Sequence, residues 1–134
     1  MLDLKRSKKL ANKIQARNKA CWQNAYEAML LLSEDCIYVE GWIVVTKYAL
    51  PIEHGYLRTA TGQVIDPTPA MHEEGNEYFD GARYTISEMT ERCNEPLPLV
   101  WNDYGWGGNN HPGYVAARDA ALARAAQIAP KQPD

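Results

Sequence analysis

The chain has only three cysteines, an odd number, and none of them belongs to a C-x-x-C pair. That excludes a disulfide framework as the organising device and points to a reduced, intracellular setting. No run approaches the roughly 18 apolar residues of a membrane span, and no basic-then-apolar leader opens the chain. We therefore expect a cytoplasmic protein with no membrane partner. H-E-x-x-H is absent, and Cys36, Cys93, His72 and His111 show no zinc-ligand spacing toward Cys21 or His54, so no metal and no other cofactor is expected. Gly105, Gly107 and Gly108 precede no Lys-Ser/Thr pair, which removes a phosphate-cradling loop. Internal repeats are also missing. The net charge of -3 argues against a protein devoted to nucleic acid.

What is present is an ordinary globular composition, 46% hydrophobic and 23% charged over 134 residues, which suits a single domain able to build a core without staples. The average charge hides a split. Residues 1–19 hold Lys5, Arg6, Lys8, Lys9, Lys13, Arg17 and Lys19 against Asp3 alone, while residues 20–134 carry 7 bases and 16 acids. The division expected is a basic helical arm over 1–19, a core over 20–129 and a frayed tail over 130–134. The arm reads as a solvated helix face, as an element docked on the acidic body, or as a grip for phosphates.

Along the chain, Leu2, Leu4, Leu10 and Ile14 drift around a helical surface, and Ala25, Met29, Leu30 and Leu32 give the denser spacing of a buried stripe. Asn18, a poor interior residue and a good N-cap, predicts a break there, with a second helix carrying Cys21 in its first turn. After a turn at Ser33–Asp35, the β-branched and aromatic run Ile37–Tyr48 predicts a strand ended by Pro51, with Gly41 marking a bulge or a close approach. His54–Ala60, Thr61-Gly62 and Gln63–Asp66 predict a hairpin. Tyr78–Thr85 follows as a strand, then a capping box, Thr85-Ile86-Ser87-Glu88, opens a short helix to about Cys93. The run Trp101–Gly113 reads as a long irregular loop, and Tyr114–Ala129 as a closing helix. The order predicts an α+β domain: N-terminal helices packed on a small antiparallel sheet, and a C-terminal helix.

Cys21 is the thiol with chemical promise. A cysteine at a helix N-terminus meets unpaired N–H groups and the positive end of the helix dipole, which favour thiolate. The competing reading is a small buried hydrophobe, as we expect for Cys36 and Cys93. A nucleophile needs a base, and pairing about the 60–62 turn would bring His54 and Asp66 into near-opposite positions. Asp66 would then hold the imidazole in one tautomer. His111 stands in reserve as the base, and Glu40 is a further acid that either faces the site or solvent.

The segment Cys21-Trp22-Gln23-Asn24-Ala25 resembles the C-W-x-x-A of transglutaminase-like proteins. His54-Gly55-Tyr56-Leu57, followed by Gly62-Gln63-Val64-Ile65-Asp66-Pro67-Thr68, is similar to their H-x-W/Y … G-x-x-x-D-P-T hairpin. The resemblance spans about residues 15–85 and extends to the wider papain-like group. It implies a compact α+β thiol enzyme with Cys21 as nucleophile, His54 as base and then acid, and Asp66 as orienter. It also suggests Gln15 as an oxyanion-hole donor, with Asn24 as an alternative polar neighbour beside the Cys21 N–H. Trp101, Tyr104 and Trp106, together with Trp22 and Trp42, are candidate substrate-binding aromatics. The expected function is cysteine-dependent acyl transfer on a protein or peptide amide, as peptidase, amidase or deamidase, or as a transferase where an amine replaces water. The alternative is a non-catalytic bacterial or phage interaction factor on the same fold. Cell-wall peptide cleavage and DNA binding through the arm are lesser rivals, and the oligomeric state is left open.

Overall fold

A computed structural model describes residues 1–32 and 34–129. The expected tail over 130–134, and Ser33 of the expected turn, lie outside the described residues. Helix α1, Leu4–Ile14, starts where the Asp3 side chain accepts from the Arg6 N–H, and ends at Gln15, whose φ of 54° turns the chain left-handed. Helix α2, Cys21–Leu31, has no side-chain cap at its start. The break near Asn18 is there, but Asn18 does not cap α2. Its Oδ1 instead accepts from the Ala70 N–H at 2.8 Å, and Cys21 rather than Asn18 opens the helix. The first N–H groups of α2 are therefore left without a side-chain acceptor.

Four strands follow: β1 Cys36–Val45, β2 Leu50–Thr59, β3 Val64–Ile65 and β4 Glu77–Tyr84. They form one antiparallel sheet in the order β3-β2-β1-β4. Pro51 does not end the first strand, contrary to expectation. The break is the 3-10 turn Thr46–Tyr48, and Pro51 sits opposite Val44 near the start of β2. Strand β3 pairs only with Leu57 and Arg58, so β2 is an edge strand at Pro51, where a missing N–H is tolerated. At Gly41 the register with β4 slips, from Glu40 opposite Ala82 to Trp42 opposite Phe79. A Cβ at Gly41 would collide with the Phe79 carbonyl, so the bulge needs glycine.

Helices cover one face of the sheet. Tyr38, Leu57, Ile65, Ala82 and Tyr84 meet Ala25, Ala28 and Met29 of α2, Met89 of α3 (Ile86–Glu91), Leu99 and Val100 of α4 (Leu99–Tyr104), and Tyr114 of α5 (Pro112–Ile128). The expected capping box at Thr85 opens α3. The expected irregular run from Trp101 is instead half ordered, by α4 and by a 3-10 turn at Trp106–Gly108. The cause is remote: the buried Glu40 carboxylate accepts from the Leu99 and Val100 N–H groups at 2.7 Å each, and from the Tyr38 hydroxyl at 2.7 Å. A helix cap supplied by a distant strand leaves no local signal.

The basic arm is docked. Leu2 bridges Val64 in parallel, Leu10 and Ala11 are buried, and Ser7 is fully buried with its Oγ accepting from the Asp66 N–H at 2.9 Å. Lys5, Lys8, Lys9 and Lys13 face solvent on the far side of α1. Among the described residues, no helix is long and apolar enough to cross a membrane.

Candidate functional site

Gly55 decides where α2 can sit. A Cβ there would lie 2.7 Å from the Trp22 ring, 3.2 Å from Trp22 Cα and 3.4 Å from the Cys21 carbonyl oxygen. Only a glycine lets the start of α2 rest directly on β2. His54 is the next residue on that strand, so this close approach sets the nucleophile candidate beside the imidazole.

His54 and Asp66 are bonded, Nε2 to Oδ2, at 2.7 Å, with 1% and 0% of their surfaces exposed. The bond expected between them is there, although the two residues are not directly opposite. Continuing the register of Leu57 with Ile65 puts Asp66 across from Tyr56, so the bond runs diagonally between two side chains of one face. Because the carboxylate can only accept, Nε2 carries the proton and Nδ1 is the nitrogen left for Cys21. Burial opposes charging of His54, but the Asp66 charge and its hydrogen bond, helped by Cys21, push its pKa up to about 10. That direction favours an imidazolium next to the half-buried thiol.

Asp66 has further partners. Its Oδ1 accepts from the Thr68 N–H at 3.1 Å, the bond by which an Asp turns the chain two residues on. Its Oδ2 also accepts from the Tyr78 hydroxyl at 2.7 Å. Thr68 Oγ1 in turn accepts from Asn24 Nδ2 at 3.1 Å. The Asp-Pro-Thr run therefore orients the carboxylate, stops the strand and ties the hairpin to α2. Beneath lies a second network: Arg58 holds Asp80 at 2.7 Å, Asp80 also accepts from Tyr56, and the Tyr56 ring stands edge-on to Tyr78 at 4.8 Å.

The remaining expected residues fall into two groups. Asn24 donates to the Arg17 carbonyl as well as to Thr68, so both of its N–H bonds are committed and none is left for an oxyanion. Gln15 is the exposed end of α1, with its backbone N–H closing that helix. Trp42 packs between the sheet and α5, its ring 6.0 Å from Tyr114 and its Nε1 buried without a partner among the described residues. His111 is not a spare base: its Nδ1 accepts from the Tyr114 N–H and caps α5. Glu40 is the α4 cap described above, with burial raising its pKa against three donors. Cys36 is buried as expected, and burial raises its thiol pKa; Cys93, expected in the core, is exposed.

In the other group, Trp22 and Trp101 reach the face of β2 that carries Gly55. Trp22 rests on Gly55, and Trp101 Nε1 donates to Glu53 Oε1 at 3.3 Å, one same-face position along the strand. Trp106 leans on Trp101 at 5.4 Å and is 81% exposed, while Tyr104 stands edge-on to His111. Glu53 went unnoticed in the sequence, because an acid near a strand start gives no signal.

No family model matches the chain. Neither does any curated protein or solved structure. Among the described residues, no group of three or more His, Cys, Asp or Glu side chains converges as a metal site. A groove of about 550 Å³ opens on the opposite face of the sheet, between Leu2, Arg58, Val64 and residues 74–79, and contains none of Cys21, His54 and Asp66.

Proposed function

We propose that the protein is a cysteine-dependent acyl-transfer enzyme acting on a protein or peptide amide. The observation that carries this reading is the buried His54–Asp66 pair held against the thiol at the uncapped start of α2. An imidazolium and a helix N-terminus beside a cysteine are the surroundings that favour thiolate. The resemblance of Cys21-Trp22, His54-Gly55-Tyr56 and Asp66-Pro67-Thr68 to transglutaminase-like motifs supports the same roles.

In the proposed cycle the thiol proton resides on His54 Nδ1, and the thiolate attacks the amide carbonyl. The carbonyl electrons move to oxygen, where the Cys21 N–H and the next free N–H groups of α2 stabilise them. The C–N bond breaks, and the leaving amine takes the proton from His54. A water or an amine, deprotonated by the now neutral His54, then attacks the thioester and expels Cys21. Asp66 stays ionised throughout and holds the ring. A reducing, cytoplasmic setting suits such a thiol.

Alkylation tests the reading. With iodoacetamide at pH 6.5, Cys21 should label faster than the exposed Cys93, although Cys21 is the less accessible of the two. His54→Ala should abolish that advantage. Slower labelling of Cys21 than Cys93 in the wild type contradicts it, and favours the interaction factor built on the same fold.

A further inference from the structure

We propose that the candidate active site carries a subsite for a cationic side chain, built from Glu53, Trp101 and Trp106, so that the amide acted on is flanked by a Lys or Arg. The inference rests on the acyl-transfer reading above and names its substrate class. Glu53 lies on the same face of β2 as Gly55, two residues before it. Side chains so related stand about 7 Å apart. Since the start of α2 rests on Gly55, Glu53 lies one same-face position along β2 from the helix start that presents Cys21.

Its geometry is fixed on one oxygen and open on the other. Oε1 accepts from Tyr114 Oη–H at 2.6 Å and from Trp101 Nε1–H at 3.3 Å. Oε2 has no partner among the described residues, and it is not among the buried polar atoms that lack one, so it meets solvent. Both donors are neutral groups, so neither brings a positive charge to the carboxylate. Beside it, the tilted Trp101 and Trp106 rings form a wall whose outer member is 81% exposed. An anchored carboxylate next to an open indole face is the chemistry that holds an ammonium or guanidinium, by ion pairing and by cation–π attraction together. A hydrophobic ligand would leave Glu53 unsatisfied, and an anionic one would meet like charge.

The test uses charged thiol reagents on the intact chain, reading disulfide formation at Cys21 by peptide mass. The probes are methanethiosulfonates bearing a trimethylammonium, a sulfonate or a plain methyl group, each rate divided by that at Cys93. His54 and the neighbouring Lys19 both favour the anion, so the informative quantity is the cation-to-anion rate ratio and its response to mutation. Glu53→Gln, which keeps the acceptor for Tyr114 and Trp101, should lower the ratio by about three- to tenfold, as expected for removing one charge on the approach to the thiol. Trp106→Ala, at an exposed position that the fold does not need, should lower it by about two- to fivefold. An unchanged ratio in both variants, with Cys21 reactive, overturns the subsite alone. A Cys21 inert even to the methyl reagent overturns the acyl-transfer reading, and the subsite with it.

Discussion

Replacing Gly55 with alanine asks whether the approach of α2 to β2 makes the site. The added Cβ would stand 2.7 Å from Cε3 of Trp22 and 3.2 Å from its Cα. Ordinary contact begins near 3.4 Å, so the ring must withdraw by well over half an ångström and the helix backbone by a smaller amount. Neither is the loose end of a flexible side chain. Overpacking of this kind costs about 1–3 kcal/mol. Because the same shift carries Cys21 away from His54, the alkylation advantage of Cys21 over Cys93 at pH 6.5 should fall by tenfold or more. Gly62→Ala is the control. Gly62, unlike Gly55, has a left-handed backbone, φ 85°, but a Cβ there meets nothing within 4 Å. It should cost about 1 kcal/mol of backbone strain and leave the thiol as reactive as before. Urea unfolding gives the stabilities, and iodoacetamide rates give the reactivity. Wild-type labelling in Gly55→Ala would refute the reasoning, since the helix would then not depend on that contact.

Two further outcomes follow from the buried acids. Asp66→Asn removes the charge that does most to hold His54 up at about 10, leaving burial opposed only by Cys21, so its NMR titration should move well down from there. A raised His contributes stability that is fully present below about pH 6.5 and fades as the pH climbs through 10; the wild type should therefore weaken over that window and Asp66→Asn should not. Breaking so buried a pair should itself cost about 3–5 kcal/mol. Glu40→Ala strips the acceptor from Tyr38, Leu99 and Val100. It should cost about 3 kcal/mol and speed amide exchange at Leu99 and Val100, because each buried donor left unpaired is worth about 1 kcal/mol or more. Exchange at wild-type rates would show that another group caps α4.

These acids also mark the boundary of what the sequence reveals. The α+β order was legible because strand and helix periods, the Thr85 capping box and the Gly62 turn are local signals. Gly41 was legible too, since a glycine within a β-branched run has few other reasons to be there. The Asp66-Pro67-Thr68 run pointed to the His54 partner, but the diagonal bond depends on where β3 stops, which two residues of pairing decide. Helix α4 was missed because Glu40 caps it from about 60 positions away. Asn18 and Asn24 misled for a related reason: both have the chemistry of a cap or a donor, but tertiary partners, Ala70 and Thr68, take up their side chains. His111 has base-like chemistry as well, and its proximity to Tyr114 turns it into a helix cap. Tyr78 had no signature at all. A tyrosine in a strand is commonplace, and only folding places its hydroxyl on the carboxylate that holds His54.

The acyl-enzyme is the most direct measure of the central claim. The intact protein, incubated briefly with an activated p-nitrophenyl ester and quenched in acid, should carry one acyl group on the peptide containing Cys21. The label should be lost on adding hydroxylamine and absent from His54→Ala. An acyl group found on Cys93, or at Cys21 to the same extent with and without His54, would contradict the assignment of these residues as one catalytic unit.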